Sequence, residues 1–257
     1  MCLLVFALRK HPCLPLIVAG NRDEFHARPT QAAHWWPDKR DIVGGRDLQA
    51  GGTWLATHRD GRFAAVTNHR DAHREKAGLQ SRGHLITGFL DADTSVVEYL
   101  ESIDGDAYAG FNLLVADRMS AGYLSNRGAG MRELPPGIYG LSNAPLDDPW
   151  TKVTRTKSRL AELLDEDNVN ETSLMRMLGD REKASADEVQ TNGLSFSMAH
   201  VLTAPFIVHP EYGTRCSTVL TIDDKGSVRF LERSFGPDGK PGGDAKYVFE
   251  SGGQDAQ

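Results

Sequence analysis

The chain has 257 residues, of which 40% are hydrophobic and 25% are charged, and this balance is typical of a globular chain and excludes a disordered or fibrous one. Its length predicts a single domain over residues 1–257. Because 29 Lys and Arg stand against 35 Asp and Glu, the net charge is −6 at pH 7, which excludes a nucleic-acid-binding protein with a dense basic face.

The cysteine pattern and the apolar runs indicate the compartment. Cys2, Cys13 and Cys216 are odd in number and lack paired spacing, which favours a reducing environment. The opening apolar run Cys2–Leu8 is followed by Arg9-Lys10-His11, where a signal peptide would stay apolar. No run approaches the roughly 20 apolar residues of a membrane span. The sequence therefore predicts a cytoplasmic protein without a membrane span.

The first predicted elements are two paired strands at the start of the chain. The apolar runs Cys2–Leu8 and Pro15–Gly20 flank a polar break that contains proline. If the turn centres on His11-Pro12, the antiparallel register places Cys2 opposite Asn21, give or take one residue. The chain start is therefore expected beside the polar residues that follow the second strand.

A second hairpin is predicted further along the chain. The runs Thr53–Thr57 and Arg62–Val66 flank Asp60-Gly61, a dipeptide suited to the positive φ angles of a type I′ turn. The same counting of register sets Asn68 opposite Thr53.

The remaining elements complete a mixed pattern. Apolar spacing predicts helices over Ser81–Leu90, Thr94–Ile103 and Thr151–Asp165, and strands over Phe111–Asp117, Gly122–Asn126 and Ile138–Ser142. The polar segment Asn168–Asn192 is expected to be helical in part. A third hairpin is predicted from Thr214–Ile222 and Ser227–Glu232, with a loop over Gly236–Lys246 and a last strand at Tyr247–Glu250. Strands at both ends with helices between them predict an α+β fold of antiparallel sheets covered by helices.

Cys2 is the first candidate for chemistry. Its side chain is small enough for removal of the initiator methionine, which would leave Cys2 with a free α-amine. A thiol with a pKa of about 8.5 and an α-amine with one of about 7.7–8.0 can exchange a proton at a cost of only about 1 kcal/mol. Nucleophile and base would then share one residue. The alternative is that Cys2 is a small apolar residue opening a buried strand.

The pentapeptide Asn21–Phe25 supplies polar groups beside Cys2. In this position the Asp23 carboxylate could orient the ammonium group, and the Arg22 guanidinium could favour the thiolate. The alternative is a turn that carries a surface ion pair.

Two asparagines and an arginine near the C-terminal end of the chain are further candidate site residues. Asn68 and Asn143 lie at predicted strand ends, where neutral amides could hold an oxyanion, although an asparagine taken alone is more often a turn former. Arg215 opens an apolar strand and must find a carboxylate or a substrate, and a structural pair with Asp23 is one candidate.

Several short stretches together carry a resemblance to a known family. They are Met1-Cys2, Asn21–Phe25 with Arg28-Pro29, Gly51–Leu55, Thr67-Asn68, Gly110–Leu113, Tyr139–Asn143 with Pro149-Trp150, Tyr212–Arg215 and Glu232–Ser234. Over nearly its whole length the chain resembles the NRDE family, also called the TANGO2 family after Transport and Golgi organization protein 2. The resemblance implies membership of the N-terminal-nucleophile hydrolase superfamily, whose fold is a four-layer αββα sandwich of two antiparallel sheets.

Within that superfamily the chain looks most like the branch of bile-salt hydrolase and penicillin V acylase. The resemblance implies a catalytic set of Cys2, Asp23, Asn68, Asn143 and Arg215, and substrate contacts from Asn21, Arg22, Thr53 and Trp54. That branch carries an arginine three residues before its aspartate, whereas this chain has Gly20 there and Arg22 next to Asp23. Since adjacent residues of a strand face opposite ways, Arg22 is expected on the face opposite to Asp23.

These observations lead to two functional hypotheses. The first is an N-terminal cysteine amidohydrolase that cleaves a non-peptide C–N amide bond of a small molecule without a cofactor or a metal. The second, suggested by the association of eukaryotic family members with Golgi organisation, mitochondrial metabolism and haem movement, is a non-catalytic carrier of haem or of an acylated metabolite. A homo-oligomer is compatible with both.

A histidine pair, a tryptophan pair and a third cysteine are further candidates for binding sites. His69 and His73 are four residues apart and could share a metal, but a solvated loop is the preferred interpretation. Trp35-Trp36 could line a pocket or pack at the edge of a core, and packing is preferred. Cys216 could ligate haem, although inert packing is the expectation.

Overall fold

A computed structural model describes residues 2–69, 79–128, 130–191 and 193–252. Its strands are β1 (Cys2–Leu8), β2 (Leu16–Phe25), β3 (Thr30–Trp36), β4 (Lys39–Asp47), β5 (Leu55–His58), β6 (Phe63–Asn68), β7 (Phe111–Ala116), β8 (Ala121–Ser125), β9 (Gly130–Glu133), β10 (Gly137–Leu141), β11 (Tyr212–Ile222), β12 (Ser227–Phe235) and β13 (Pro241–Glu250). Its α-helices are α1 (Gly83–Asp91), α2 (Val96–Glu101), α3 (Thr151–Asp165), α4 (Glu171–Leu178) and α5 (Phe196–Val201).

The strands form two antiparallel sheets. A six-stranded sheet has the order β10-β1-β2-β11-β12-β13, and a seven-stranded sheet has the order β3-β4-β5-β6-β7-β8-β9. The first sheet therefore combines strands from both ends of the chain, since β2 lies between β1 and β11.

Three buried apolar clusters define four layers. Leu4, Phe6 and Phe230 of the six-stranded sheet pack with Leu55 and Leu114 of the other sheet. The outer face of the seven-stranded sheet packs against α1 and α2, and the outer face of the six-stranded sheet packs against α3 and α4. The helices α1 to α4 and both sheets thus bury their apolar sides against a neighbouring layer. The predicted four-layer α+β sandwich is confirmed.

The strict alternation of β1 decides which side chains meet. Leu4 and Phe6 face the other sheet, whereas Val5 and Ala7 face the helices. The same alternation applies to β2, which is paired with β1 over its length. This periodicity puts Cys2 on the side between the sheets, at the open end of the strand.

The two predicted registers were each one residue off. Cys2 pairs with Arg22 rather than Asn21, within the stated margin. In the second hairpin Leu55 pairs with Ala65, and Gly61 is at φ +93 while Asp60 stays at negative φ. The loop therefore has three residues with a positive-φ glycine last, not the predicted two-residue type I′ turn.

The ends of the second hairpin also differ from the prediction. Thr53 precedes β5 instead of lying within it, and Asn68 pairs with Phe111 of β7 rather than with Thr53.

Several elements were not predicted. The hairpin of β3 and β4 was missed because both strands are rich in polar and exposed residues. The predicted loop Gly236–Lys246 was wrong in its second half, since β13 begins at Pro241; an edge strand tolerates proline and exposed glycine. Within the described part of the chain, no helix is long and apolar enough to cross a membrane.

The paired tryptophans lie in β3. Trp36 is fully buried and donates through Nε1 to the Gly44 carbonyl, 3.0 Å away. Trp35 makes edge contacts with Tyr247 and Phe249 of β13. Trp35 therefore packs between the two sheets, whereas Trp36 packs between the seven-stranded sheet and α1.

Candidate active site

Cys2 is held at the end of β1 by side chains from the segment after β10. The backbone ladder between β1 and β10 runs from Leu8 and Gly137 to Leu4 and Leu141, and beyond it side chains take over. The Cys2 backbone nitrogen donates to Asn143 Oδ1 at 3.1 Å, and its carbonyl accepts from Ser142 Oγ at 2.7 Å. The half-buried Cys2 is thus fixed through its main chain.

Asn143 joins the two sheets at this point. It is 3% exposed, and its Nδ2 donates to the Asn68 carbonyl at 2.7 Å while its Oδ1 accepts from Cys2. Asn68 ends β6 of the opposite sheet and its side chain is exposed. Both the oxygen and the nitrogen of the Asn143 amide therefore have a partner within the protein, whereas Asn68 is exposed.

Asp23 is deeply buried behind Cys2. Its Oδ1 accepts from Thr214 Oγ1 at 2.7 Å, and its carbonyl accepts from the Tyr212 hydroxyl at 2.8 Å. Burial raises the pKa of the Asp23 carboxyl, while the nearby Lys152 opposes this shift. Burial also raises the pKa of the Cys2 thiol, and a hydrogen bond from the Asp23 backbone counteracts part of that rise.

Lys152 is a functional candidate that the sequence analysis missed. It lies in the first turn of α3, only 1% of its surface is exposed, and its Nζ lies 3.9 Å from Asp23 Oδ2. A cation in the first turn of a helix opposes the helix dipole. That unfavourable position, two residues after Trp150, was the one signal in the sequence that could have drawn attention to it.

Arg22 lies directly opposite Cys2 in the β1–β2 ladder and therefore on the same face of the sheet. It is turned away from Asp23, as the strand alternation requires. Its Nη2 lies 3.4 Å from Asp47 Oδ2, and Arg22 is 8% exposed. The face that Arg22 occupies is thus the face of the nucleophile candidate.

Arg215 lies in a β-bulge between Thr214 and Cys216. Its Nη1 donates to the carbonyl oxygens of Phe25, His26 and Arg28 at 2.8, 3.3 and 3.1 Å. The candidate pairing of Arg215 with Asp23 was wrong, because the bulge turns Arg215 toward the β2–β3 turn and Thr214 takes the carboxylate instead. Arg215 stabilises the turn rather than contacting Cys2.

Asn21 is fully buried on the helix side of β2. Its Nδ2 donates to the carbonyls of Leu178 and Pro205, both at 2.9 Å, and its Oδ1 accepts from Ser217 Oγ at 2.6 Å. All of its polar groups bond to the protein, so the structure does not bring Asn21 into the site.

A cavity of about 480 Å³ opens at Cys2. The predicted site residues that line it are Cys2, Arg22, Asp23, Thr53, Trp54 and Asn68. The start of α1 closes one side, where Gly52 and Gly83 touch: a Cβ on Gly52 would lie 2.8 Å from the Gly83 Cα. Thr53 is buried, and its hydroxyl donates a hydrogen bond to the Leu55 carbonyl at 3.0 Å within the same turn.

The lining of this cavity is largely polar and charged. Arg28 and Arg82 lie on its wall together with Glu24 and Asp47. Trp54 is 8% exposed and contributes the main aromatic surface. Such a lining suits a small polar molecule better than a long apolar chain.

No metal site is found in residues 2–69, 79–128, 130–191 and 193–252, where no group of three His, Cys, Asp or Glu side chains could hold an ion. Of the histidine pair considered from the sequence, His69 follows β6, and His73 lies outside the described residues.

Comparison of the whole fold identifies its class. The structure superposes on an N-acylethanolamine-hydrolyzing acid amidase ortholog from Caenorhabditis elegans with a TM-score of 0.50 and 12% identity, over 85% of this chain and 92% of that one. It superposes on the conjugated bile acid hydrolase of Clostridium perfringens, in a variant with a cysteine at position 2 changed to alanine, with a TM-score of 0.55 and 10% identity, over 98% of both chains. The fold is that of the N-terminal-nucleophile hydrolases.

Sequence comparison then identifies the family. The family model for Transport and Golgi organisation 2 matches residues 1–237. The human Transport and Golgi organization protein 2 homolog is 35% identical, over 91% of this chain and 93% of its own. The Drosophila melanogaster Transport and Golgi organization protein 2 is 28% identical, over 91% of this chain and 92% of its own. The chain belongs to the Transport and Golgi organisation 2 family.

Proposed function

We propose that this protein is an N-terminal cysteine amidohydrolase that cleaves a non-peptide C–N amide bond of a small, polar molecule. The observation that carries the proposal is the setting of Cys2. Its nitrogen is held by Asn143, its thiol lies beside the Asp23 backbone, and a cavity of about 480 Å³ opens in front of it.

The proposed reaction begins once Met1 has been removed. The α-amine of Cys2 donates one N–H to Asn143 Oδ1, which leaves its lone pair free to accept the thiol proton. The thiolate attacks the amide carbonyl, and the resulting ammonium group protonates the leaving amine as the C–N bond breaks. Water, deprotonated by the same amine, then hydrolyses the thioester and restores the thiol.

The two asparagines take different roles in this proposal. Asn143 accepts from the Cys2 nitrogen and does not line the cavity, so it is proposed to position the Cys2 amine. The Asn68 side chain lies on the cavity wall and is the proposed donor to the oxyanion.

Asp23 and Lys152 are proposed to act together behind the nucleophile. A carboxylate near the α-amine stabilises the ammonium group that forms during attack. Burial disfavours the ionised carboxylate, and the positive charge of Lys152 at 3.9 Å offsets part of this cost. Lys152 is thus a positioning residue that keeps Asp23 ionised.

The two solved relatives support the choice of chemistry. Their names describe an acid amidase that hydrolyses N-acylethanolamines and a hydrolase of conjugated bile acids. In the bile acid hydrolase the altered residue is a cysteine at position 2, the same residue type and position as Cys2 here. The haem-carrier hypothesis gains no support from the cavity at Cys2, because its lining is mostly polar.

The proposal is tested on the purified protein by intact mass, alkylation and turnover. We expect Met1 to be absent, Cys2 to react with iodoacetamide faster than Cys216, and amine release from a panel of N-acyl amides. Cys2→Ala should abolish release, and Cys13→Ala, which changes an exposed cysteine, should leave it intact. Retention of Met1, or equal turnover by Cys2→Ala, would refute the mechanism.

A further inference from the structure

A second cavity of about 280 Å³ adjoins the cavity at Cys2. Arg22, Asp47 and Trp54 line both cavities and form the partition between them. Cys216 and Glu232, which are 7% and 3% exposed, belong to the far side. The second cavity therefore lies beyond Arg22 as seen from Cys2 and reaches Cys216 and Glu232 in the six-stranded sheet.

The Arg22 guanidinium in this partition has unused hydrogen-bonding capacity. It is 8% exposed and carries five N–H donors, yet in the described part of the chain it makes one side-chain hydrogen bond, at 3.4 Å to Asp47 Oδ2. A buried cation with so few partners is costly unless a ligand completes its set.

Asp47 does not depend on Arg22. It receives a shorter bond from Arg28 Nε at 2.6 Å, and its Oδ1 accepts from the backbone of Gln49 and Ala50 at 3.0 and 3.1 Å. Arg22 can therefore turn from Asp47 to an anionic ligand without leaving that carboxylate unpaired.

The second cavity also carries positive charge from Arg215. That guanidinium is satisfied by carbonyl oxygens and Thr30 Oγ1, and no carboxylate lies within 4 Å of it among the described residues. Glu232 is the opposing acid, and it accepts from the Ala33 nitrogen at 2.7 Å and from Thr218 Oγ1 at 3.3 Å. Burial raises the pKa of Glu232, while the Ala33 backbone bond opposes this shift.

The position relative to Cys2 indicates which part of a substrate would enter. Directly opposite residues of a ladder have Cα atoms about 4.5–5.5 Å apart, so an anion on Arg22 lies only a few bonds from a carbonyl attacked by Cys2. The leaving amine needs a route to solvent, which the first cavity offers beside the exposed Asn68 and Gln80. The acyl half stays bonded to Cys2 and must have its own space.

We infer that the second cavity binds a carboxylate on the acyl half of the substrate, with Arg22 as its anchor. The substrate class is then a monoamide of a short dicarboxylic acid. This inference rests on the proposed function for the identity of the acyl half, but the binding of the carboxylate does not require turnover.

Calorimetric titration of the Cys2→Ala protein with succinamate, butyramide and N-acetylglycine tests the inference. Succinamate should bind at least tenfold more tightly than butyramide, which has a methyl group in place of the carboxylate. Arg22→Gln, added to Cys2→Ala, should reduce that preference to less than twofold, and Arg22→Lys should retain part of it. The control Arg233→Gln removes a surface arginine paired with Asp244 and should leave the preference unchanged.

A variant that keeps Arg22 tests the second cavity independently, in case the arginine variants misfold. Ser234 lines the second cavity but not the first, so Ser234→Leu should fill it while Arg22 remains. Succinamate should then lose its advantage over butyramide.

Three outcomes would overturn the inference. One is equal binding of succinamate and butyramide, another is a preference that survives both Arg22→Gln and Ser234→Leu, and the third is an Arg22-dependent preference for N-acetylglycine, whose carboxylate is on the amine half. If no amide is hydrolysed but succinamate is preferred, only the proposed function fails. If neutral amides turn over as fast as succinamate, only the carboxylate site fails.

Discussion

At the scale of single residues, the site is a set of polar side chains whose partners decide their roles. Asn68 and Asn143 have the same side chain and were expected to act alike, yet one is exposed on a cavity wall and the other bridges two strands. Asp23 was anticipated from its place in the Asn21–Phe25 stretch. Lys152 was not, because helical periodicity places a residue on a face but does not reveal that the face meets a buried carboxylate.

The two asparagines should therefore respond differently to alanine. Asn68→Ala removes a proposed oxyanion donor and should lower kcat by about 10²–10³ without a change in the free energy of unfolding. Asn143→Ala leaves the Asn68 carbonyl and the Cys2 nitrogen without their hydrogen-bond partner. It should lower the free energy of unfolding by about 1–3 kcal/mol and should also lower activity. Turnover and urea denaturation measure the two effects. Equal stability losses in the two variants would contradict the assigned roles.

Removal of the Lys152 charge should shift the ionisation of Asp23. Since Lys152 lowers a pKa that burial raises, Lys152→Met should raise the pKa of Asp23 further. The ionised carboxylate then forms only at higher pH, so the acidic limb of the kcat/KM profile should move to higher pH. The pKa of the Asp23 carboxyl, followed by NMR, checks the shift independently of turnover.

The same shift has a consequence for stability. A carboxyl whose pKa is raised by folding contributes stability below its unfolded pKa of about 3.9, and this contribution is lost as the pH rises through the folded pKa. Lys152→Met should therefore lose stability relative to wild type as the pH rises from about 4 toward neutrality. Lys157→Met is the matched control, because Lys157 lies on the same helix and pairs with Asp147 at the surface. A parallel shift in that control would refute a specific role for Lys152.

At the scale of elements, apolar runs predicted strands well and polar edge strands poorly. The core strands β1, β2, β7 and β11 bury nearly all of their residues, and β1 and the first half of β2 are continuous apolar segments. The edge strands β3 and β13 alternate or expose their residues, and their polar composition is that of a loop. The turn loop of the second hairpin was misjudged by one residue, because Asp-Gly fits both two-residue and three-residue loops.

The contact between the Gly51–Leu55 stretch and α1 is an element-level feature with a direct test. A Cβ on Gly52 would lie 2.8 Å from the Gly83 Cα, so Gly52→Ala must push α1 away from the cavity wall. We expect a loss of about 1–3 kcal/mol in the free energy of unfolding. Gly243→Ala is the control, since its Cβ would have no neighbour within 4 Å. Thermal unfolding of both variants gives the comparison, and an unchanged Tm for Gly52→Ala would count against close packing here.

At the scale of the whole molecule, the four layers explain why the site lies where it does. The layered arrangement followed from strands at both ends of the sequence with helices between them, and the family resemblance supplied the sandwich in detail. Pairing order, by contrast, depends on long-range contacts: β1 lies between β2 and β10, and Asn143 is 141 residues from Cys2. No local pattern specifies such contacts. The prediction of a homo-oligomer stays a prediction.

The bridge from Cys2 through Asn143 to Asn68 ties the reactive end of one sheet to the last residue of a strand in the other. A shift of one sheet relative to the other therefore changes the position of the Cys2 sulfur, even when both sheets remain packed. On gradual heating, the proposed activity should consequently be lost before cooperative unfolding begins, so residual activity would report how well the two sheets stay aligned.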